Sequence, residues 1–201
     1  MGRLATSFVL GYHGCDIETA SKAVRGLEPL QPSDKAYDWL GPGIYFWESD
    51  PQRAWEWTYE RCEKSGLEPA VVGAAIDLSN CLDLLSRESQ ELLRGAHESL
   101  AAIYAAAEKP LPKNTPAPGG TDELRRVRKL DCAIIRYLHQ IAEDPNDGSL
   151  SPFDTVRGMF TEGKELYPGS AFTDQSHVQI AVRNPACIKG YFLPPEFGLT
   201  V

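Results

Sequence analysis

Three short segments of this 201-residue chain carry residue types able to hold a polar, ring-bearing ligand. Tyr12-His13-Gly14 sets an imidazole, which gives or takes a proton near neutrality, beside a glycine that lets another molecule approach the backbone. In Gly41-Pro42-Gly43-Ile44-Tyr45-Phe46-Trp47, glycines precede an aromatic residue, Tyr45, that emerges at a strand edge and offers a ring face for stacking. His177 and Gln179 lie two apart in an alternating run, so both project from one strand face. Taken singly, each has an ordinary reading: a histidine bonded to a neighbouring loop, a rim aromatic, a solvated amide. Other chemistries lack their patterns. The four histidines, His13, His97, His139 and His177, have no ligand spacing, so no metal is expected, and there is no G-x-S-x-G turn for a serine hydrolase.

The elements that must position these residues follow from periodicity and punctuation. Residues 7–12 form an apolar run expected as a buried strand, opening into a loop at His13-Gly14. Helix-forming residues follow over 17–26, with Gly26 placed as the stop. The proline-rich stretch 29–42 predicts a loop, and 43–47 a strand. Ser49-Asp50-Pro51 then supplies a cap and a first-turn proline for a helix over 51–64. Residues 69–78 predict a buried strand. Helical spacing recurs over 83–109, and again over 121–142, where Arg125, Arg126, Arg128 and Lys129 are expected on a solvated helix face. The prolines and glycines of 110–120 predict a loop. After a further loop, strands are expected over 177–183 and 188–193. Strands at both ends with helices between them indicate a mixed α+β class.

In this order, the YHG of residues 12–14, the GPGIYF of 41–46 and the strand holding Gln179 resemble the poly(ADP-ribose) polymerase and diphtheria-toxin-like ADP-ribosyltransferases of the His-Tyr-Glu class. The likeness covers the two ends of the chain and hardly touches its helical middle. It implies a single catalytic domain over 1–201, with a helical insertion at about 83–147. The implied fold is a split NAD-binding α+β fold of two small sheets facing across a cleft. It implies NAD⁺ as substrate, with His13 on a ribose hydroxyl, the Gly14 backbone on the nicotinamide carboxamide and Tyr45 stacked on the nicotinamide. An aromatic of the next helix supplies the opposite face; Trp55, Trp57 and Tyr59 compete, and Trp57 is favoured. Trp55 and Tyr59, four apart, also fit one helical side as core residues.

Gln179 stands where the family carries glutamate. A neutral amide cannot counter the positive charge that builds on the ribose as the nicotinamide bond breaks. The expectation is therefore mono-ADP-ribosyl transfer or NAD⁺ hydrolysis rather than polymer extension. Glu162, Glu165 and Asp174 are candidates to replace the missing charge, and His177 is a candidate base for the acceptor. The loop over 161–176, with a turn at Tyr167-Pro168-Gly169, is expected to meet that acceptor. The alternative from another class is a catalytically silent NAD⁺- or ADP-ribose-binding module. An RNA 2′-phosphotransferase ranks low, because its phosphate-gripping arginines are not beside the motifs.

Composition sets further bounds. A formal net charge of −8 argues against bulk electrostatic binding of nucleic acid. Five scattered cysteines without C-x-x-C spacing suit buried thiols in a reducing compartment. With no signal-peptide core and no long apolar run, the expectation is a soluble cytoplasmic protein. Uncontrolled NAD⁺ consumption would harm the host cell, so a bacterial toxin or defence effector restrained by an antitoxin-like partner is a further hypothesis. The acceptor, protein or nucleic acid, is not specified by the sequence.

Overall fold

The computed structural model describes residues 8–116 and 125–197. Its fold is α+β. In chain order the elements are β1 (Phe8–Asp16), α1 (Ile17–Val24), β2 (Ile44–Glu48), α2 (Pro51–Ser65), β3 (Pro69–Asp77), β4 (Cys81–Asp83), α3 (Arg87–Ala106), β5 (Asn114–Thr115), β6 (Val127–Arg128), α4 (Lys129–Glu143), β7 (Thr155–Phe160), β8 (His177–Val182) and β9 (Ile188–Phe192). Seven strands form one sheet in the order β4-β7-β8-β2-β1-β3-β9, while β5 and β6 make a separate two-residue ribbon. Only β4 and β7 run parallel within the sheet. Where two small facing sheets were expected, the described residues carry one mixed seven-stranded sheet and one two-stranded ribbon. The sheet's middle joint, between β1 and β2, is two residue pairs long: Gly11 with Glu48 and Tyr12 with Trp47.

Each face of the sheet carries its own packing layer. One face buries Ile44, Phe46, Ile76, Ile180 and Val182 against Ala23 of α1 and Leu30. On the other face, Trp47 and Val71 pack with Ala54 of α2. Farther along that same face, Leu82, Val156 and Ala181 pack with Leu100 of α3 and with Ile135 and Leu138 of α4. A strip of β2, β8 and β7 is left between α2 and the α3/α4 pair.

Local signals explain the helix ends. Asp50 accepts from the Arg53 N–H at 2.9 Å, Pro51 opens α2, and Gly66 closes it at φ 66°. Several expectations need correction. His13 and Gly14 continue the first strand instead of opening a loop, because β3 pairs with β1 without interruption from Phe8 to Asp16; Ser7 lies outside the described residues. The helix expected from residue 83 begins at Arg87, capped by Ser86, because Asp83 pairs with Arg157 in β4. The helix expected from 121 begins at Lys129: Arg125 has φ 47° and Val127–Arg128 form β6, while 121–124 lie outside the described residues. The loop expected over 110–120 contains β5; its residues 117–120 also lie outside. Strand β7 falls where only a loop was anticipated.

Candidate functional site

Strand alternation sorts the predicted residues onto two faces. Directly paired residues share a face, so Tyr12, Trp47, Gln179 and Gly158 form one row across β1, β2, β8 and β7. Tyr45, two residues from Trp47, lies on the same face. His13, one residue from Tyr12, lies on the opposite one, with its ring 5.8 Å from that of Phe46. The structure therefore brings Gln179, Tyr45 and Trp57 to one side and turns the His13 side chain to the other.

His13 marks the place where β1 and β2 part. The Leu10 carbonyl accepts from the Ser49 N–H at 2.9 Å, so alternation turns the N–H and C=O of Tyr12 and Gly14 toward β2 as well. Tyr12 meets Trp47, but Gly14 has no partner in the β2 ladder. The Tyr45 carbonyl that would face it instead takes a hydrogen bond from His13 Nδ1 at 2.8 Å. A carbonyl only accepts, so Nδ1 carries the proton, and Nε2 of the neutral ring is left as an acceptor. Burial lowers the His13 pKa, outweighing the opposing effect of the Tyr45 carbonyl. The ring borders a cleft of about 520 Å³ that is also lined by Asp16, Thr19, Lys22, Leu30 and Gln31.

Gly14 also has a packing role. A Cβ there would sit 2.4 Å from the Ala54 carbonyl oxygen and 2.9 Å from Thr58 Cβ, so α2 crosses β1 over the missing side chain. The Thr58 hydroxyl, donating to the Cys15 carbonyl at 3.0 Å, fixes the crossing.

Tyr45 is held tightly. Its hydroxyl donates to the Gly41 carbonyl at 2.7 Å and accepts from the Leu40 N–H at 3.0 Å, while its ring packs against the α3/α4 layer. Burial raises its pKa. Of the three aromatic candidates on α2, Trp57 faces the sheet: its ring is 5.5 Å from Trp47 and carries Arg61 at 4.6 Å. Trp55 and Tyr59 lie tilted against each other with ring centroids 6.2 Å apart, and Trp55 meets Phe197.

The strip beyond Trp47 is a connected set of polar and aromatic groups. Trp39 Nε1 donates to Gln179 Oε1 at 2.7 Å. The Trp39 ring reaches β7 because residue 158 is glycine; a Cβ there would lie 2.8 Å from Cη2 of that ring. Phe160 lies 5.3 Å from Trp39 and stacks on His177. His177 is buried, its Nδ1 donates to the Gln175 carbonyl at 2.7 Å, and its Nε2 has no partner among the described residues. Burial lowers its pKa too. Of the three carboxylates considered, Glu162 enters this strip: it lies 3.5 Å from His177 Nδ1 and accepts from Arg53 at 2.7 and 3.0 Å. Glu165 accepts from the Gly169 N–H and Asp174 from the Lys164 N–H, both on the exposed loop. Within the loop, Glu165 and Thr173 form a bridge, flanked by backbone hydrogen bonds from the Leu166 N–H to the Phe172 carbonyl and from the Asp174 N–H to the Lys164 carbonyl.

Sequence reasoning missed Trp39, Phe160 and Arg128. Arg128 was assigned to a solvated helix face; because the helix starts one residue later, its guanidinium lies over the Trp39 and Phe160 rings, 4.8 and 4.4 Å from their centroids. An arginine amid aromatics separated by 89 and 32 residues leaves no local spacing signal.

Among the described residues, no helix is long and apolar enough to cross a membrane. No known protein family matches the chain, and no solved structure does. The chain is similar to an uncharacterized protein of the archaeon Methanocaldococcus jannaschii, 25% identical over 196 residues, spanning 89% of this chain and 83% of the relative.

Proposed function

We propose that the chain is a cytoplasmic enzyme that binds NAD⁺ where β1 and β2 diverge and cleaves its nicotinamide–ribose bond, passing a single ADP-ribose unit to an acceptor or to water. The observation that carries this reading is the free edge at Gly14 beside the His13 cleft. One N–H and one C=O turned toward a gap are the complement of a primary carboxamide, which offers one acceptor and one donor in return. His13 Nε2 is an acceptor suited to a ribose hydroxyl. Both roles are those implied by the likeness to the His-Tyr-Glu transferases, and the short central joint suits a variant of their split fold.

In the reaction, the bond from ribose C1′ to the nicotinamide nitrogen breaks and its electron pair leaves with neutral nicotinamide. The acceptor bonds to C1′ and releases a proton. Tyr45 acts through its hydroxyl as a positioning residue for the 40–41 loop, and Trp57 is the aromatic ring of α2 on the Gln179 face. Glu162 is already matched by Arg53, so it offers less charge to the developing cation than an unpaired carboxylate would.

A second reading, binding of NAD⁺ or ADP-ribose without turnover, is favoured by one specific observation: the Gln179 oxygen is occupied by Trp39. Incubation of purified protein with NAD⁺, with and without cell extract, and chromatography of nicotinamide separates the readings. Release that falls at least tenfold in folded His13→Ala supports the enzyme. Saturable NAD⁺ binding without release supports the silent module, and neither binding nor release refutes both.

A further inference from the structure

Among the described residues, Arg128 is a cation with no carboxylate at ion-pair distance, although Asp131 and Glu162 act on it from farther away. Its guanidinium carbon closes a triangle with the Trp39 and Phe160 ring centroids, which are 5.3 Å apart. Burial lowers its pKa, yet among the described residues it makes no ion pair and donates no hydrogen bond. Asp131 and Glu162 favour its charge, but their hydrogen bonds go elsewhere: Glu162 is held by Arg53, and Asp131 accepts from Asn114 Nδ2 at 2.8 Å. Rings cover the guanidinium face, while its five N–H donors lie in its plane and want acceptors.

The neighbouring amide points to the same ligand chemistry. Trp39 Nε1–H can only donate, so the atom it meets on Gln179 is the amide oxygen, and the two Nε2–H donors of Gln179 are left without a partner among the described residues. Arg128 and Gln179 thus meet the two parts of one ring, Arg128 its face and Gln179 its nitrogen edge, and the groups they leave unsatisfied are all donors. A donor-only site fits an acceptor-only ligand, and the planar fork of arginine matches phosphate oxygens.

We infer that Arg128 and Gln179 form a phosphate-binding subsite on the face of the sheet opposite the His13 cleft, taking a free phosphate or a phosphate ester. The glutamine is what keeps it open. A glutamate at 179 would place a carboxylate at the edge of the ring that carries Arg128, supply the missing counter-ion and close the site. This inference does not rest on NAD⁺ turnover.

The test is calorimetric titration with inorganic phosphate and, in a separate arm, methyl phosphate, against chloride at equal ionic strength. Wild type is expected to bind phosphate saturably; binding of methyl phosphate as well extends the site to esters, and its failure to bind restricts the site to the free ion. Arg128→Met should weaken binding at least tenfold and Arg61→Met, an arginine on the Trp57 ring, less than twofold. Gln179→Glu should weaken binding at least tenfold with Arg128 intact, an outcome that a merely structural Arg128 would not produce. Should Arg128→Met fail to fold, Arg128→Lys and Gln179→Glu decide. Phosphate behaving like chloride in wild type, or binding unchanged in the folded Arg128 and Gln179 variants, overturns the inference.

Discussion

Gly14→Ala separates two explanations of the same glycine, ligand approach and helix packing. The added Cβ would lie 2.4 Å from the Ala54 carbonyl oxygen and 2.9 Å from Thr58 Cβ. The first is backbone inside α2, anchored by its Asp50 cap and by Thr58 on Cys15, so it cannot swing away. Forcing a methyl into such a contact costs about 1–3 kcal/mol, and in a chain of this size each kcal/mol lowers the melting temperature by about 2–4 °C. Gly73→Ala is the internal control. Its Cβ would meet Phe192 at 2.3 Å, a nominally worse clash, but the obstacle is the ring of a half-buried side chain on the outermost strand. That ring can rotate, so Gly73→Ala is expected to cost less than Gly14→Ala. Urea unfolding of both variants at pH 7.5 gives the two values. If Gly14→Ala unfolds within about 0.5 kcal/mol of wild type, or if Gly73→Ala is the more damaging, the crossing of α2 over β1 is wrong.

Acid stability tests the buried imidazoles. His13, His139 and His177 all have pKa values lowered by burial, His139 to about 3. The unfolded chain therefore binds more protons below pH 6.5, and stability falls as pH falls, for His139 throughout the window from 6.5 to about 3. Each such histidine adds a slope of up to ~1.4 kcal/mol per pH unit. His139→Leu, which also removes two buried nitrogens lacking partners among the described residues, should flatten the urea midpoint between pH 7 and 5, and an unchanged slope would refute this. Tyr45→Phe leaves the buried Leu40 N–H without its acceptor, an expected loss of ~1–3 kcal/mol measurable by thermal melting. The five cysteines are all free, and burial pushes the Cys15 thiol up to about 12 and those of Cys81 and Cys187 to about 11. A thiol reagent at pH 8 should label these three slowly until urea is added; prompt labelling of Cys15 would contradict its burial.

What could be read in advance was whatever local rules govern. The cap and proline at Asp50-Pro51 and the alternation from His177 to Arg183 are written in neighbouring residues, and these elements appear within a residue or so of expectation. Strand β7 was illegible because TVRGMF mixes a charge and a glycine into a short run. Both are explained only by distant partners: Arg157 reaches Glu48 and Asp83, and Gly158 admits Trp39. The start of α4 was misplaced because an arginine-rich stretch has good helix propensity, whereas pairing of Val127 and Arg128 with β5 and the aromatic platform hold it extended. The opposite orientations of His13 and Gln179 follow from register, which depends on which strands become neighbours. No single segment contains that information.

The two-pair joint between β1 and β2 has a mechanical consequence. On either side of it lies a leaf with its own packed layer, α1 and α2 gripping β1 and β3, and α3 and α4 gripping β4, β7 and β8. Opening the seam would break the two residue pairs, the Ser49–Leu10 hydrogen bond and the imidazole bond, and would divide the cores that join Phe46 and Ile180 to Ile76 and Trp47 to Val71, while leaving the α3/α4 layer intact. Backbone pairing is thus thinnest along this line, and apolar packing across it holds the sheet closed. A molecule seated at Gly14 and His13 would bind β1 on one side of the seam and bear on β2 through the His13–Tyr45 hydrogen bond. Amide deuterium exchange would then slow first at Tyr12, Gly14 and Trp47, well before the cores respond.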